Sequence, residues 1–239
     1  VFGNYVDRDD PEGPFETCDT HALYRPDGAR YIAPQRLEPG FCTLSMLFSD
    51  WGRNGRADLR VSNDRHYYVK GGEEQMWAME SPPRLYGPAD GWKAHKLWGM
   101  GIASRDLTGD GLPEVFLTSM GDQRLQLTAD DGRPEFTDAP YALGTTAQRP
   151  YLGDDVRPST GWHVAFGDAQ NDARDDIFIS KGNVEQMPDS AMEDPNNLLV
   201  QRLDGTFAEK GAEANLASFH RGRGAAMVDL HTAIGINVQ

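Results

Sequence analysis

The stretch Asp106-Leu-Thr-Gly-Asp-Gly-Leu-Pro-Glu114 puts oxygen-bearing side chains at positions 1, 3, 5 and 9 of a nine-residue loop: Asp106, Thr108, Asp110 and Glu114. Gly111 at position 6 permits a sharp reversal, and the Leu112 carbonyl at position 7 adds another oxygen. The β-branched and aromatic run Val115-Phe-Leu-Thr-Ser follows at once and reads as a strand. A hard divalent cation takes about six to eight oxygens, several of them charged, so this spacing predicts a calcium loop pinned to the start of a strand. No thiolate or imidazole stands in the loop, which disfavours zinc. Magnesium gives up its water reluctantly and rarely accepts a cage made only of protein.

The pattern recurs. Asp168-Ala-Gln-Asn-Asp-Ala-Arg-Asp-Asp176 offers Asp168, Gln170, Asp172, the Arg174 carbonyl and Asp176, with Ala173 where glycine is expected. Asp50-Trp-Gly-Arg-Asn-Gly-Arg-Ala-Asp58 offers Asp50, Asn54, the Arg56 carbonyl and Asp58; Gly52 removes the ligand at position 3. One such loop could be an ion-free Asx turn. Recurrence in phase favours metal, with two to three calcium ions expected and the second and third loops the tighter. Asp50, Asp106, Asp168 and Asp229 lie 56, 62 and 61 residues apart, each after a small or apolar run. The fourth unit has its lead-in and Asp229 but no further acidic residue.

Each unit also holds a second pair of apolar runs around an Asp-Gly or Gly-Gly turn: Asp27-Gly28, Gly71-Gly72, Asp131-Gly132 and Asp204-Gly205. Two hairpins per unit make four strands, and a repeat of four-stranded units is the signature of a β-propeller blade. The fold expected is therefore all-β, a β-propeller of four-stranded blades with calcium loops. About four blades span 1–239. Small residues before the acidic loops, such as Gly99, Gly101, Gly222 and Gly224, suit inner strands near a crowded axis. Helix is expected only as a turn within 207–217. Trp77, Trp92 and Trp98 are read as packing between blades. The Pro- and Gly-rich stretches 80–91 and 137–160 are read as binding excursions on one face.

The chain has 239 residues and a net charge of −14. Such acidity argues against a nucleic-acid partner, which requires a basic patch. No apolar run approaches the roughly 18 residues of a membrane span. Cys18 and Cys42 lie in one polar, Pro-rich segment, where they suit a local disulfide and hence an oxidising compartment; two free thiols are the alternative. Val1-Phe-Gly-Asn-Tyr-Val6 reads as a start inside a strand, so a larger protein is expected.

Four stretches resemble a known family. They are Gly99-Met-Gly-Ile-Ala-Ser-Arg-Asp-Leu-Thr-Gly-Asp-Gly, Gly161-Trp-His-Val-Ala-Phe-Gly-Asp, Asp194-Pro-Asn-Asn-Leu-Leu and Gly222-Arg-Gly-Ala-Ala-Met-Val-Asp. They are similar to the FG-GAP/VCBS repeats of integrin α-type propellers, and more closely to bacterial proteins grouped with cartilage acidic protein 1 and the ASPIC/UnbV proteins. The resemblance implies a propeller, typically of seven blades, with calcium in its inter-strand loops and an exported or cell-surface location. Seven blades at this repeat would need about 420 residues, so the chain would be part of such a ring; a closed ring of four blades is the alternative.

Catalytic signatures are missing. The histidines His21, His66, His95, His163, His220 and His231 are scattered, with neither HExxH nor Gly-x-Ser-x-Gly. Glu73-Glu74 and Asp154-Asp155 read as solvated charges. Arg221-Gly-Arg223 reads as an anion site or as arginines paired to a neighbouring acid. The function expected is a calcium-stabilised, non-enzymatic binding or scaffold module. It would sit in the periplasm, at the cell surface or in the secreted fraction, and meet a protein partner or another cell-surface ligand. The alternative is an accessory or catalytic subunit of a biosynthetic or redox enzyme complex that uses the propeller channel.

Overall fold

The computed structural model describes residues 1–12, 17–64, 72–146, 160–184, 192–229 and 236–238. The fold is all-β. The N-terminal strands are β1 (His21–Leu23), β2 (Pro26–Asp27), β3 (Arg30–Tyr31) and β4 (Gln35–Leu37). A first four-stranded antiparallel sheet comprises β5 (Thr43–Ser49), β6 (Asp58–Asn63), β7 (Gln75–Ala78) and β8 (Arg84–Leu85) in that order. A second comprises β9 (Gly99–Arg105), β10 (Glu114–Ser119), β11 (Arg124–Thr128) and β12 (Phe136–Asp138). A third comprises β13 (Gly161–Gly167), β14 (Asp176–Lys181), β15 (Asn197–Gln201) and β16 (Phe207–Glu209). Strands β17 (Met227–Asp229) and β18 (Ile236–Val238) pair antiparallel, Asp229 opposite Ile236.

The three large sheets share one plan. Each acidic loop joins the first strand to the second, with Ser49 opposite Asp58, Arg105 opposite Glu114 and Gly167 opposite Asp176. The second strands β6, β10 and β14 are buried along all six residues, so both faces pack on neighbours. Their period-2 alternation sorts side chains between successive cores. Leu59 and Val61 pack with Leu23, Leu37 and Trp77. Val115 and Leu117 pack with Met76, Trp51 and Trp92 of the sheet before, while Phe116 joins Ile177 and Ile179 of the sheet after. First strands lie side by side, β9 between β5 and β13, and β13 against β17.

That close approach explains the glycines. A Cβ on Gly99 would stand 2.2 Å from Ser62 Oγ, and one on Gly161 would stand 2.3 Å from Gln123 Oε1. Neither site has room for a side chain. Trp77 and Trp92 are buried between sheets, as expected, while Trp98 is half-buried.

At the N-terminus, Phe2 bridges Ala22 and Val6 bridges Cys18, both antiparallel, while β1 pairs with β4 on its other side. The Cys18–Cys42 disulfide is formed and ties this unit to the lead-in of β5.

Two expectations are corrected here. The second hairpin of the first sheet turns after β7, through 79–83, because Trp77 pairs with Leu85. Gly71-Gly72 therefore belongs to the connection between β6 and β7, of which 65–71 lie outside the described residues. The stretch 207–217 holds β16 and then turns, with no helix. Short 3-10 turns occur instead at Pro88–Asp90 and Tyr141–Leu143.

Candidate functional site

The three acidic loops adopt one backbone. Positions 4 and 6 are left-handed in every copy: Arg53 and Gly55 (φ 50° and 80°), Gly109 and Gly111 (77° and 85°), Asn171 and Ala173 (56° and 65°). The first aspartate holds each turn by accepting loop N–H groups. Asp50 takes those of Asn54 and Gly55, both at 2.9 Å. Asp106 takes those of Gly109 and Gly111 at 2.7 and 2.8 Å. Asp168 takes those of Asp172 and Ala173 at 3.0 and 2.7 Å. Position 5 repeats too, with Asn54, Asp110 and Asp172 each accepting the N–H two residues on. The loops thus share their two left-handed positions and the position-5 bond, while the first aspartate takes the N–H groups of positions 5 and 6 in the first and third loops and of positions 4 and 6 in the second.

They differ at position 9. Glu114 accepts the Leu107 N–H at 2.8 Å, and Asp176 accepts those of Ala169 and Gln201, each at 2.9 Å. A carboxylate has about four lone-pair directions, so both keep some for a cation. Both pKa values are raised, first by burial and further by the neighbouring carboxylates, Asp110 and Asp106 in one loop and Asp172 and Asp168 in the other. Among the described residues, none of Asp106, Asp110 and Glu114 forms an ion pair with Lys or Arg, whereas Asp172 is paired with Arg174. The donor set of the second loop therefore fits a hard divalent cation: negative, oxygen-only and short of positive charge; the third is oxygen-only too, but Arg174 must leave Asp172 before a cation can use it.

Asp58 in the first loop is different. Its Oδ1 accepts Arg56 Nε at 2.8 Å and the Met79 N–H at 2.9 Å. Its Oδ2 accepts the Tyr86 hydroxyl at 2.8 Å, Trp51 Nε1 at 3.0 Å and Arg56 Nη2 at 3.3 Å. These donors fill the lone pairs. Burial alone would push the carboxyl up, but the bonds from Arg56, Met79, Tyr86 and Trp51 hold it below its ordinary value. With Gly52 at position 3 as well, this donor set does not fit a cation.

Among the described residues, no three His, Cys, Asp or Glu side chains gather around one point as a bound metal would hold them. The carboxylates close on loop N–H groups instead. No helix among the described residues is long and apolar enough to cross a membrane. The chain matches no protein-family model, and no curated protein is significantly similar to it.

Several polar groups hidden from sequence reading lie between sheets. Glu74 is fully buried, which corrects its reading as a solvated charge. Its Oε1 accepts the Asn63 N–H at 2.8 Å. Gln123 and Asn196 stand in the same place before β11 and β15 and accept the Ser119 and Lys181 N–H groups at 3.2 and 2.9 Å. The signal was a side-chain oxygen just before each third strand. Burial pushes the Glu74 carboxyl up to about 8.

Nearby, the buried Arg60 donates to Gln126 and lies 4.4 Å from the centre of the Phe136 ring. Gln126 in turn lies 3.1 Å from His95 Nδ1. Burial foremost, then Arg60, pulls the His95 pKa down to about 4. Lys181 and Asp194 form a fully buried ion pair at 3.1 Å. Arg223 donates to the Gly182 carbonyl at 2.8 Å and lies over the Trp162 ring, and among the described residues it forms no ion pair with an acid. His66, Asp154 and Asp155 lie outside the described residues.

Proposed function

We propose that the chain is part of a calcium-stabilised β-propeller, made of FG-GAP/VCBS-like repeats, that serves outside the cytoplasm as a binding or scaffold module for a protein or cell-surface ligand. One observation carries the reading: three acidic loops with the same two left-handed positions recur at the same point of three successive sheets whose first strands lie side by side. A radial repeat, like a linear stack, gives each sheet the same two neighbours, and four-stranded antiparallel units favour the radial one. In the second loop the ion would be held by Asp106, Thr108, Asp110, the Leu112 carbonyl and Glu114. In the third it would be held by Asp168, Gln170, Asp172, the Arg174 carbonyl and Asp176, once Arg174 releases Asp172. A bound ion would supply the positive charge that the second loop otherwise lacks, and would take the place of Arg174 beside Asp172 in the third. The chain's own residues set the loop, fix the turn through Asp106 and Asp168, and seat the second strand. The disulfide supports an oxidising compartment.

Native mass spectrometry in calcium tests the reading. Two ions per chain are expected, with one lost in Glu114→Gln and one in Asp176→Asn. A chain that carries no calcium at millimolar concentration would contradict it. For the binding role, affinity purification from the source in calcium and in chelator should retain a defined partner only in calcium.

A further inference from the structure

We infer that Arg56 closes the first acidic loop from within, so that this loop neither needs nor takes a divalent cation. The inference rests on the calcium reading of the other two loops for its contrast, but its geometry stands alone. Arg56 occupies position 7, where the second loop has the buried Leu112 and the third has Arg174, whose guanidinium meets Asp172 at position 5 rather than Asp176 at position 9. Its guanidinium turns back onto position 9 and meets Asp58 through two nitrogens, Nε at 2.8 Å and Nη2 at 3.3 Å. A planar fork suits a carboxylate, and its fixed charge cancels the one that a cation would otherwise cancel.

The rest of the shell completes the seal. Trp51 and Tyr86 are buried, 4% and 7% exposed, and their rings meet edge to face at 6.1 Å. Both point their polar atoms at Asp58 Oδ2, at 3.0 and 2.8 Å. Asp58 is itself 1% exposed and accepts the Met79 N–H from the end of β7. The clamp therefore links the loop, the start of β6 and the third strand, a connection the third loop makes through Asp176 and the Gln201 N–H. At the other end of the loop, Gly52 supplies no side-chain oxygen at position 3. Asp50 accepts the Asn54 and Gly55 N–H groups without help. An incoming cation would have to displace a guanidinium, a phenol and an indole from a carboxylate already saturated with donors.

Amide hydrogen exchange on the whole chain, in calcium and in chelator, decides the matter. In the wild type, exchange at Asn54, Gly55 and Met79 should differ less than about twofold between the two conditions, while Gly109, Gly111 and Ala173 slow by about tenfold or more in calcium. Arg56→Ala should speed exchange at Gly55 and Met79 by about tenfold in both conditions. The paired change Gly52→Asp with Arg56→Leu should add one calcium ion to the count by native mass spectrometry, and it tests the inference even if Arg56→Ala does not fold. A calcium-dependent slowing at Asn54 and Gly55 in the wild type would overturn the inference, as would unchanged exchange in a folded Arg56→Ala. If no loop responds to calcium, the proposed function fails while the Arg56→Ala result still decides the clamp.

Discussion

At the scale of single residues, the loops are governed by two left-handed positions and one aspartate. Ala173 holds φ 65° where the other copies have glycine. A Cβ in that conformation is strained, and the side chain is exposed, so it gains no packing in return. Ala173→Gly should therefore stabilise the fold by about 0.5–1 kcal/mol, even after the added freedom of the unfolded chain. Denaturant unfolding at unchanged slope would show it as a higher midpoint, and a lower midpoint would count against the strain argument. This feature was legible in the sequence because the turn chemistry is local: Gly111 and Gly55 announce the reversal, and Ala173 stands out against them. The fate of Asp58 was not legible. Its saturation depends on Tyr86 and Met79, 28 and 21 residues away, which only the folded first sheet brings to it.

At the scale of elements, each sheet meets the next across a layer that is mostly apolar but carries buried ionisable groups. The sequence showed the strands of the second and third sheets through alternation and Asp-Gly turns. It misplaced one hairpin, because Gly71-Gly72 carries the same turn signal as a true hairpin while the actual turn follows β7 at 79–83. It also missed Glu74, since an acidic pair in a polar stretch looks solvated until the neighbouring sheet covers it.

Two opposed pH effects follow from that layer. His95 has a folded pKa near 4, below its ordinary 6.5, so the folded state binds fewer protons between those values. Stability should rise with pH across that window and be lost as pH falls through it. Glu74 has a folded pKa near 8, above its ordinary 4.5, so the folded state binds more protons and stability should fall as pH rises from 4.5 to 8. The windows separate at their ends. His95→Gln should flatten the rise below pH 4.5, and Glu74→Gln should flatten the decline above pH 6.5. Unfolding free energies measured across this range check both, and slopes unchanged in the two variants would contradict the assignment.

At the scale of the whole molecule, the repeat is the organising fact. The same four-strand plan appears three times, with β1, β4 and residues 2–6 forming an antiparallel set before it and the β17–β18 pair after it. Arginines also bridge successive loops: Arg53 reaches the Asp110 carbonyl at 2.9 Å, and Arg105 reaches Asp175 at 2.6 Å. The central claim is that the second and third loops hold calcium and that the fold depends on it. Two sites, each saturated at about 100 times its dissociation constant, would add roughly 5 kcal/mol by linkage. The most direct test is thermal unfolding of the wild-type chain in millimolar calcium and in excess chelator. The account predicts a melting temperature lower in chelator by about 10 °C or more. An unchanged melting temperature would contradict it.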